Sequence, residues 1–224
     1  SSGLASSASG IASFVTAYDA HYDLNLEMSN KIEACILGSG SAPRSLIGGF
    51  VLMDHKNNYS CTQVLSKADW PVDVLICLAS KETKKISSRQ GMEISKRTSP
   101  LYQDWLGRND KDISLALEAI NEKDMSRLEN VTEENCNFMH EVMKTSKPPI
   151  IYMNDVTHNC VAEIENLRAS GHKLFYTVDA GPQIKIICDP KSTNTIKDTI
   201  AQQTDVIDII HTGLGGPPRI IDEN

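Results

Sequence analysis

Two short apolar segments joined by a Gly-Pro turn constrain the fold of this 224-residue chain more than any other feature. They are "KLFYTVDAG", residues 173–181, and "QIKIICD", residues 183–189. Each is apolar and rich in residues that favour strands, and the glycine and proline between them favour a turn. Helical patterns precede and follow this pair, so the second half predicts the order helix, helix, strand, strand, helix, strand. Strands covered by helices on one face give an α+β fold.

The remaining elements are predicted from hydrophobic periodicity and from signals that start and stop helices. Ile113, Leu117 and Ile120, for example, recur at the spacing of one helix face. Pro148 stops the helix before it, and Gly171 is typical of a helix C-terminus. The predicted helices cover residues 26–37, 109–124, 124–145, 156–171 and 194–204, and the predicted strands cover residues 45–54, 72–79 and 205–213.

Composition and charge exclude several function classes. The net charge is −7 and the basic residues are scattered, which argues against a nucleic-acid surface. No apolar run approaches the length of a bilayer span and no signal sequence is visible, so we expect a cytoplasmic protein without a membrane partner. The six cysteines form no C-x-x-C pair and the six histidines show no ligand spacing. We therefore expect structural thiols and no metal site in the protein itself.

The chain opens with "SSGLASSASG", a stretch of small residues that leads directly into a helical pattern. Ile11, Phe14, Val15 and Tyr18 recur at helical spacing, so a helix is predicted to start almost at once. The backbone N–H groups at such a helix start, beside the positive end of its dipole, are a ready site for an anion such as phosphate. A serine-capped helix after a disordered start fits the same residues, and the stretch alone does not exclude it.

A second segment with polar residues is "LGSGSAPRSLIGGF", residues 37–50. It holds Ser39, Ser41 and Arg44 in a Gly-rich turn before a predicted strand. Hydroxyls and a planar guanidinium at one turn would suit a carboxylate or a phosphate. An ordinary polar turn with a surface ion pair explains the same residues equally well.

Two further segments place charges at the ends of predicted elements. "KKISSRQGM", residues 84–92, holds Ser88 and Arg89 after two lysines, which raise the local positive potential; a solvated loop is the alternative. "FYTVDAGPQIKI", residues 175–186, places Asp179 directly after an apolar strand. That carboxylate either caps the turn or lies partly desolvated at the floor of a cleft.

Taken together, five motifs in this order resemble mevalonate diphosphate decarboxylases of the GHMP kinase superfamily: "GLASSASG", "GSGSAPRSLIGGF", "SSRQGM", "PPIIYM" and "TVDAGP". The resemblance runs from residue 3 to about residue 210. It implies a two-lobed architecture, with residues 1–80 as the remainder of an N-terminal lobe for ATP and substrate. Residues 81–224 would form a C-terminal lobe, an antiparallel sheet covered by helices. In the family, a front part with an early Lys and Tyr precedes the first motif, so the resemblance implies an incomplete N-terminal lobe here.

The resemblance also implies an activity, a homodimer and a set of site residues. The activity is the ATP- and Mg²⁺-dependent decarboxylation of mevalonate 5-diphosphate to isopentenyl diphosphate. Asp179 would be the catalytic aspartate, and Arg44 would meet the substrate carboxylate; were the two close, Arg44 would favour ionised Asp179. The residues implied for ATP are Gly3, Ala5, Ser6, Ser7, Ala8 and Ser9, and those implied for the substrate are Ser39, Ser41, Arg44, Ser88, Arg89, Met92 and Ala180.

This sequence departs from the family pattern at two positions and leaves other activities open. Pro43 stands where relatives carry a small Ser or Cys, which is expected to stiffen the turn before Arg44. Gln183 replaces the Asn of the usual D-A-G-P-N run, so the turn after Asp179 is expected to be held differently. The alternatives are a monophosphate decarboxylase, a mevalonate 3-kinase or another small-molecule kinase, and an inactive fragment that serves as a binding or assembly module. Retention of Asp179 and Arg44 favours the decarboxylase.

Overall fold

The computed structural model describes residues 6–221, which form two compact units. We call residues 6–71 and 213–221 the N-terminal unit, and residues 72–212 the C-terminal unit. Each is described by itself below. The lobe boundary expected between residues 80 and 81 remains a prediction about the complete architecture.

The N-terminal unit consists of α1 (Ser6–His21), α2 (Met28–Gly38), a 3₁₀ helix (Ala42–Leu46), β1 (Phe50–Asp54) and β2 (Ser60–Leu65). The two strands pair antiparallel, with Val51 opposite Gln63. Both helices predicted in this region are present. The predicted strand at 45–54 begins only at Phe50, because Pro43 and its neighbours form the 3₁₀ turn, where a fixed proline φ is compatible with the first helical position.

Helix α1 buries small side chains rather than its aromatic ones. Ala8, Ala12 and Val15 are buried, whereas Phe14 and Tyr18 are 64% and 49% exposed. The small residues allow α1 to pack closely against α2 and the 3₁₀ helix, and these three elements supply the buried core of the unit. That core consists of Ala12, Val15, Ile32, Cys35, Ala42 and Leu46.

The C-terminal unit begins with a strand and contains five helices among its described residues. Its elements are β3 (Asp73–Leu78), α3 (Ser88–Thr98), α4 (Tyr102–Glu122), α5 (Met125–Lys144), α6 (Asp155–Ala169), β4 (Leu174–Val178), β5 (Ile184–Cys188), a second 3₁₀ helix (Pro190–Ser192), α7 (Thr193–Gln203) and β6 (Asp208–Gly213). Every helix and strand predicted for this region is present. Helix α4 starts at Tyr102, earlier than the predicted residue 109, and α3 occupies part of the segment that could have been a loop.

The four strands of this unit form one sheet in the order β4-β5-β3-β6. Strand β5 pairs antiparallel with both β3 and β4. Alternate residues of these strands point into a core closed by α5, α6 and α7, which is why the strands are apolar on that face. The α+β class and the antiparallel sheet covered by helices are thus confirmed. The connection from Val178 to Ile184 places Asp179 at one end of the β4–β5 strand pair, directly after the edge strand β4.

The cysteines and the hydropathy of the helices agree with this description. Each of the six cysteines lies in the described part of the chain as a free thiol, and Cys77, Cys136, Cys160 and Cys188 belong to the C-terminal core. Between residues 6 and 221, no helix has both the length and the apolar character needed to cross a bilayer.

Candidate active site

Asp179 is the first residue after β4, and its carboxylate is accessible on a rigid support. The Nζ of Lys185, on β5, donates to Asp179 Oδ2 at 2.9 Å. The Lys185 side chain is only 13% exposed, whereas that of Asp179 is 56% exposed. The lysine stem is therefore packed in the protein while its ammonium fixes one oxygen of an exposed carboxylate. From the sequence, Arg44 was considered as a cation beside Asp179 only on the condition that the two lie close, and Lys185 was not identified.

The backbone before Asp179 is fixed by two side chains of α5. The N–H of Val178 donates to Cys136 Sγ at 3.3 Å, and His140 Nε2 lies 3.0 Å from Val178 O. Because a carbonyl oxygen only accepts, His140 must carry its proton on Nε2. Burial lowers the pKa of His140 and raises that of Cys136, so both groups are neutral supports near neutral pH. Neither residue was identified from the sequence.

The backbone after Asp179 is fixed by Gln183, which is fully buried. Gln183 Oε1 accepts from Ala79 N–H at 2.7 Å, and its Nε2 donates to Ser80 O at 2.6 Å. Thr157 Oγ1 donates to Pro182 O at 2.6 Å. The expectation that Gln183 changes how this turn is held therefore has a physical basis, since its amide anchors the turn to the chain just after β3.

Lys84 links the start of α3 to the Asp179 turn. Its Nζ donates to Ser88 Oγ and to Ala180 O, both at 2.9 Å, and lies 5.9 Å from the centre of the Tyr152 ring. Two residues implied by the resemblance, Ser88 and Ala180, are thus brought together through one ammonium group. From the sequence alone, Lys84 was predicted only to raise the local positive potential.

Ser88 and Arg89 lie in the first turn of α3 rather than in a solvated loop. Ser87 is the N-cap: its Oγ accepts from Gln90 N–H, and the Gln90 side chain accepts from Ser87 N–H. This capping box, S-x-x-Q, was a readable sequence signal for the helix start. Arg89 is exposed and lines an open groove along α3, and Met92, on the same helix, is 64% exposed.

In the N-terminal unit, three serines implied for ATP or substrate lie side by side. Ser39 Oγ is 3.4 Å from Ser7 Oγ and 3.2 Å from Ser41 Oγ. Ser7 is in the first turn of α1, and Ser39 follows α2 directly. Arg44 is exposed on the 3₁₀ helix. Arg44 and Asp179 belong to different units, and the effect that Arg44 would have on a nearby Asp179 stays a prediction.

The start of α1 has the donors that a phosphate group requires. The first backbone N–H groups of a helix have no partner within it, and Ser6, Ser7 and Ser9 add exposed hydroxyls. Ala8 is buried, so its side chain packs inward and only its backbone faces this end. Gly3 and Ala5, implied for the same site, lie outside the described residues. This donor set fits a polyphosphate.

A protein-borne metal site was not expected from the sequence. From residue 6 to residue 221, no three His, Cys, Asp or Glu side chains are grouped as metal ligands. A Mg²⁺ ion that accompanies ATP is held largely by the phosphate oxygens, so the donors at the start of α1 remain compatible with a magnesium nucleotide.

The chain is similar in sequence to known proteins over most of its length. Residues 74–212 match the family model of the mevalonate 5-diphosphate decarboxylase C-terminal domain, and residues 1–64 match the diphosphomevalonate decarboxylase-like N-terminal domain. The diphosphomevalonate decarboxylase of Ganoderma lucidum is 36% identical over 203 residues, which are 84% of this chain and 50% of that protein. The chain therefore spans about half the length of the curated relatives it matches.

Solved structures agree over almost the whole chain. The mevalonate diphosphate decarboxylase of Staphylococcus aureus superposes with a TM-score of 0.90 at 32% identity, covering 98% of this chain and 68% of that one. A structure described as MDDEF in complex with MVAPP, AMPPCP and magnesium superposes with a TM-score of 0.88 at 32% identity, covering 96% and 67%. Because the C-terminal family model covers more than half of its residues, this chain belongs to the mevalonate 5-diphosphate decarboxylase family.

Proposed function

We propose that this chain is part of an enzyme that decarboxylates mevalonate 5-diphosphate to isopentenyl diphosphate with consumption of ATP. The observation that carries the proposal is the accessible carboxylate of Asp179 on a turn fixed from both sides. A side chain that must meet one hydroxyl of a substrate needs such fixed geometry. A solvated turn with no chemical task does not need it.

Asp179 orients the C3 hydroxyl of the substrate and accepts its proton. Lys185 holds Oδ2 of the carboxylate and so limits its rotation. The Asp179 carboxylate, held in this position by Lys185, can act as a general base. Proton transfer by a positioned side chain contributes about 10²–10⁴-fold to rate. Bound ATP would supply the phosphoryl group that turns the tertiary hydroxyl into a good leaving group.

The remaining implied residues bind and orient. Ser88 and Arg89, at the start of α3 beside Lys84, supply hydroxyl and cationic donors for the diphosphate of the substrate. Arg44 pairs with its carboxylate, and loss of CO2 follows departure of phosphate from C3. The substrate contacts are completed by Ser39, Ser41, Met92 and the backbone of Ala180, and the phosphates of ATP bind at the segment from Gly3 to Ser9.

The proposal extends to location and assembly. We assign the protein to the cytoplasm, as a homodimer with no nucleic-acid or membrane partner. The net charge of −7 with dispersed basic residues supports the absence of a polyanion partner. Sedimentation of the full-length protein tests the dimer, because a monomeric mass at micromolar concentration contradicts it.

The direct test is an assay of the full-length protein with ATP and mevalonate 5-diphosphate. We expect ADP and CO2 in equal amounts. With mevalonate 5-phosphate in place of the diphosphate, both products should be released more slowly. ADP without CO2 would identify a 3-kinase, and a preference for the monophosphate would identify a monophosphate decarboxylase. A folded protein that releases neither product contradicts the enzyme and favours a binding module.

A further inference from the structure

Gln183 and Thr157 are polar side chains with no measurable exposure in a unit whose core cluster consists of hydrophobic residues. A buried polar side chain costs stability unless every donor and acceptor is paired, and an apolar residue of similar volume would often cost less. Both residues are well paired. Their partners all lie around one structural feature, the turn that carries Asp179.

These partners form a closed circuit of hydrogen bonds. Gln183 accepts from Ala79 N–H, and Ala79 O accepts from Asn154 Nδ2 at 3.2 Å. Asn154 Oδ1 accepts from Thr157 N–H at 2.9 Å, and Thr157 Oγ1 donates to Pro182 O. Pro182 precedes Gln183 in the chain, which closes the circuit. It joins the Asp179 turn, the chain after β3 and the N-cap of α6.

Hydrogen bonds from the same turn also hold the chain segment that bears Lys84. Gln183 holds Ser80 O through Nε2, and Lys84, four residues later, returns to the turn by donating to Ala180 O. The segment 80–84 is therefore attached to the turn at both ends. A shift of the Gln183 amide would move Asp179 and the Lys84–Ser88 contact relative to each other.

We propose that Gln183 and Thr157 are positioning residues that set the place of Asp179 relative to the Lys84 and Ser88 side chains. This inference rests on the proposed function of Asp179. It concerns the glutamine in particular, because an asparagine is shorter by one methylene and cannot hold both Ala79 N–H and Ser80 O from the same backbone position. Neither Gln183 nor Thr157 touches a reacting atom in this scheme.

The test breaks the circuit at two places without changing side-chain volume greatly. Gln183→Leu removes both amide contacts, and Thr157→Val removes the bond to Pro182. Ile164→Val is the matched control, since Ile164 is fully buried on α6 and lies outside the circuit. All are made in the full-length protein and assayed well below their unfolding temperatures for kcat and for KM of mevalonate 5-diphosphate.

We expect kcat to fall at least about tenfold in both circuit variants, because sub-ångström placement of a catalytic group carries effects of this size, while KM changes less than about threefold. Ile164→Val should keep kcat within about twofold. The proposal is overturned if both circuit variants keep kcat within twofold, or if the control loses as much as they do.

A second readout does not depend on activity. Amide hydrogen exchange of residues 176–183 should be at least about tenfold faster in Gln183→Leu than in wild type or in Ile164→Val. An inactive wild-type protein would refute the proposed function, and the exchange rates would still decide whether the circuit fixes the turn. Unchanged exchange in Gln183→Leu contradicts the inference even where the enzyme is active.

Discussion

The two compact units hold their implied site residues in different ways. In the C-terminal unit, Asp179 follows a strand of a four-stranded sheet, and buried partners fix the backbone on both sides of it. In the N-terminal unit, Ser7 and Ser39 meet at 3.4 Å on an exposed surface supported by two helices and a hairpin. The difference indicates that precise positioning is a property of the sheet, while the helix start offers donors that a ligand can arrange.

The units also differ in how completely they bury their apolar side chains. The C-terminal core contains fully buried residues from strands and helices, such as Ile164, Leu174 and Ile186. On α1, by contrast, Phe14 and Tyr18 are exposed with ring centres 6.0 Å apart. With neighbouring residues they line an open cavity of about 650 Å³ on the N-terminal unit. Apolar area left in water contributes nothing to stability, so within the given 224-residue chain the N-terminal unit should be the less stable of the two.

The largest effect should come from the C-terminal site itself. Asp179→Asn keeps the shape of the side chain and removes its basicity, so we expect kcat of the full-length protein to fall about 10²–10⁴-fold. The fold should be unchanged, because the side chain is half exposed. Asp205→Asn is the matched control on an exposed position of the same unit and should leave kcat within twofold. CO2 release by the Asp179 variant at the wild-type rate would remove the aspartate from the mechanism.

The parts of this site that were predictable from the sequence are the local ones. The two strands, the turn between them and the position of Asp179 follow from a few adjacent residues. Lys185 could have been found from the hairpin register, in which Thr177 lies opposite Lys185. The anchor of Gln183 could not, because its partner Ala79 is 104 residues away in the chain. Nothing local signals such a contact.

The packed face of α1 does not follow from the sequence pattern, for a different physical reason. Spacing alone groups Phe14 and Tyr18 with Val15, but the helix buries Val15 together with Ala8 and Ala12 and leaves both aromatic rings exposed. Close approach of two backbones favours small residues, and hydrophobic periodicity gives alanine little weight. The sequence therefore predicted the helix correctly and gave a poor guide to the side that packs.

The chain has one tryptophan in each unit, which allows the stability difference to be measured directly. Trp70 stacks on Phe50 with ring centres 5.2 Å apart, and Trp105 lies on α4. A Trp105→Phe protein reports on the N-terminal unit through Trp70, and a Trp70→Phe protein reports on the C-terminal unit through Trp105. We expect the Trp70 fluorescence to change at a lower guanidinium concentration than the Trp105 fluorescence. Coincident midpoints would mean that the two units unfold as one cooperative structure.

Core truncations should sharpen the same contrast. Ile164→Ala removes a fully buried side chain from a closed core, so a loss of about 2–5 kcal/mol in the free energy of unfolding is expected for the C-terminal unit. Leu46→Ala, in the six-residue N-terminal core, should cost less, because a small core can collapse around the cavity more completely. Denaturant titration of each single-tryptophan protein measures both losses, and a larger loss from Leu46→Ala would contradict the comparison.

Lowering the pH should change the stability of the two units in opposite directions. In the N-terminal unit, the N–H of Leu26 and the ammonium of Lys31 lower the pKa of Asp19 below its ordinary value of 3.8. A lowered carboxyl pKa adds stability above the ordinary value, and that stability is lost as the pH falls towards the lowered pKa. The N-terminal unit should therefore lose stability below about pH 4.

In the C-terminal unit, burial raises the pKa of Glu133 above its ordinary value of 4.5, although Tyr176 N–H and Arg168 oppose the shift. The folded state then binds the proton more readily than the unfolded chain, so this residue adds stability as the pH falls through the raised pKa. Between pH 6 and pH 4, Glu133 should therefore raise the midpoint followed by Trp105, whereas the midpoint followed by Trp70 should fall only below about pH 4. In Asp19→Asn, the unfolding midpoint followed by Trp70 should no longer fall below pH 4. A midpoint that still falls as in wild type would mean that other carboxylates cause the loss.

The smallest effect is expected from the serines of the N-terminal unit. Ser7→Ala removes one hydroxyl whose contact to Ser39 is long at 3.4 Å, while the backbone N–H groups of the helix start remain in place. A phosphate would lose one donor among several, so KM for ATP should rise only about two- to fivefold, with kcat little changed. Ser29→Ala, on the exposed surface of α2, is the matched control. A loss of kcat as large as that of Asp179→Asn would mean that the helix start positions the reacting groups as firmly as the sheet does, and the contrast between the two units would no longer hold.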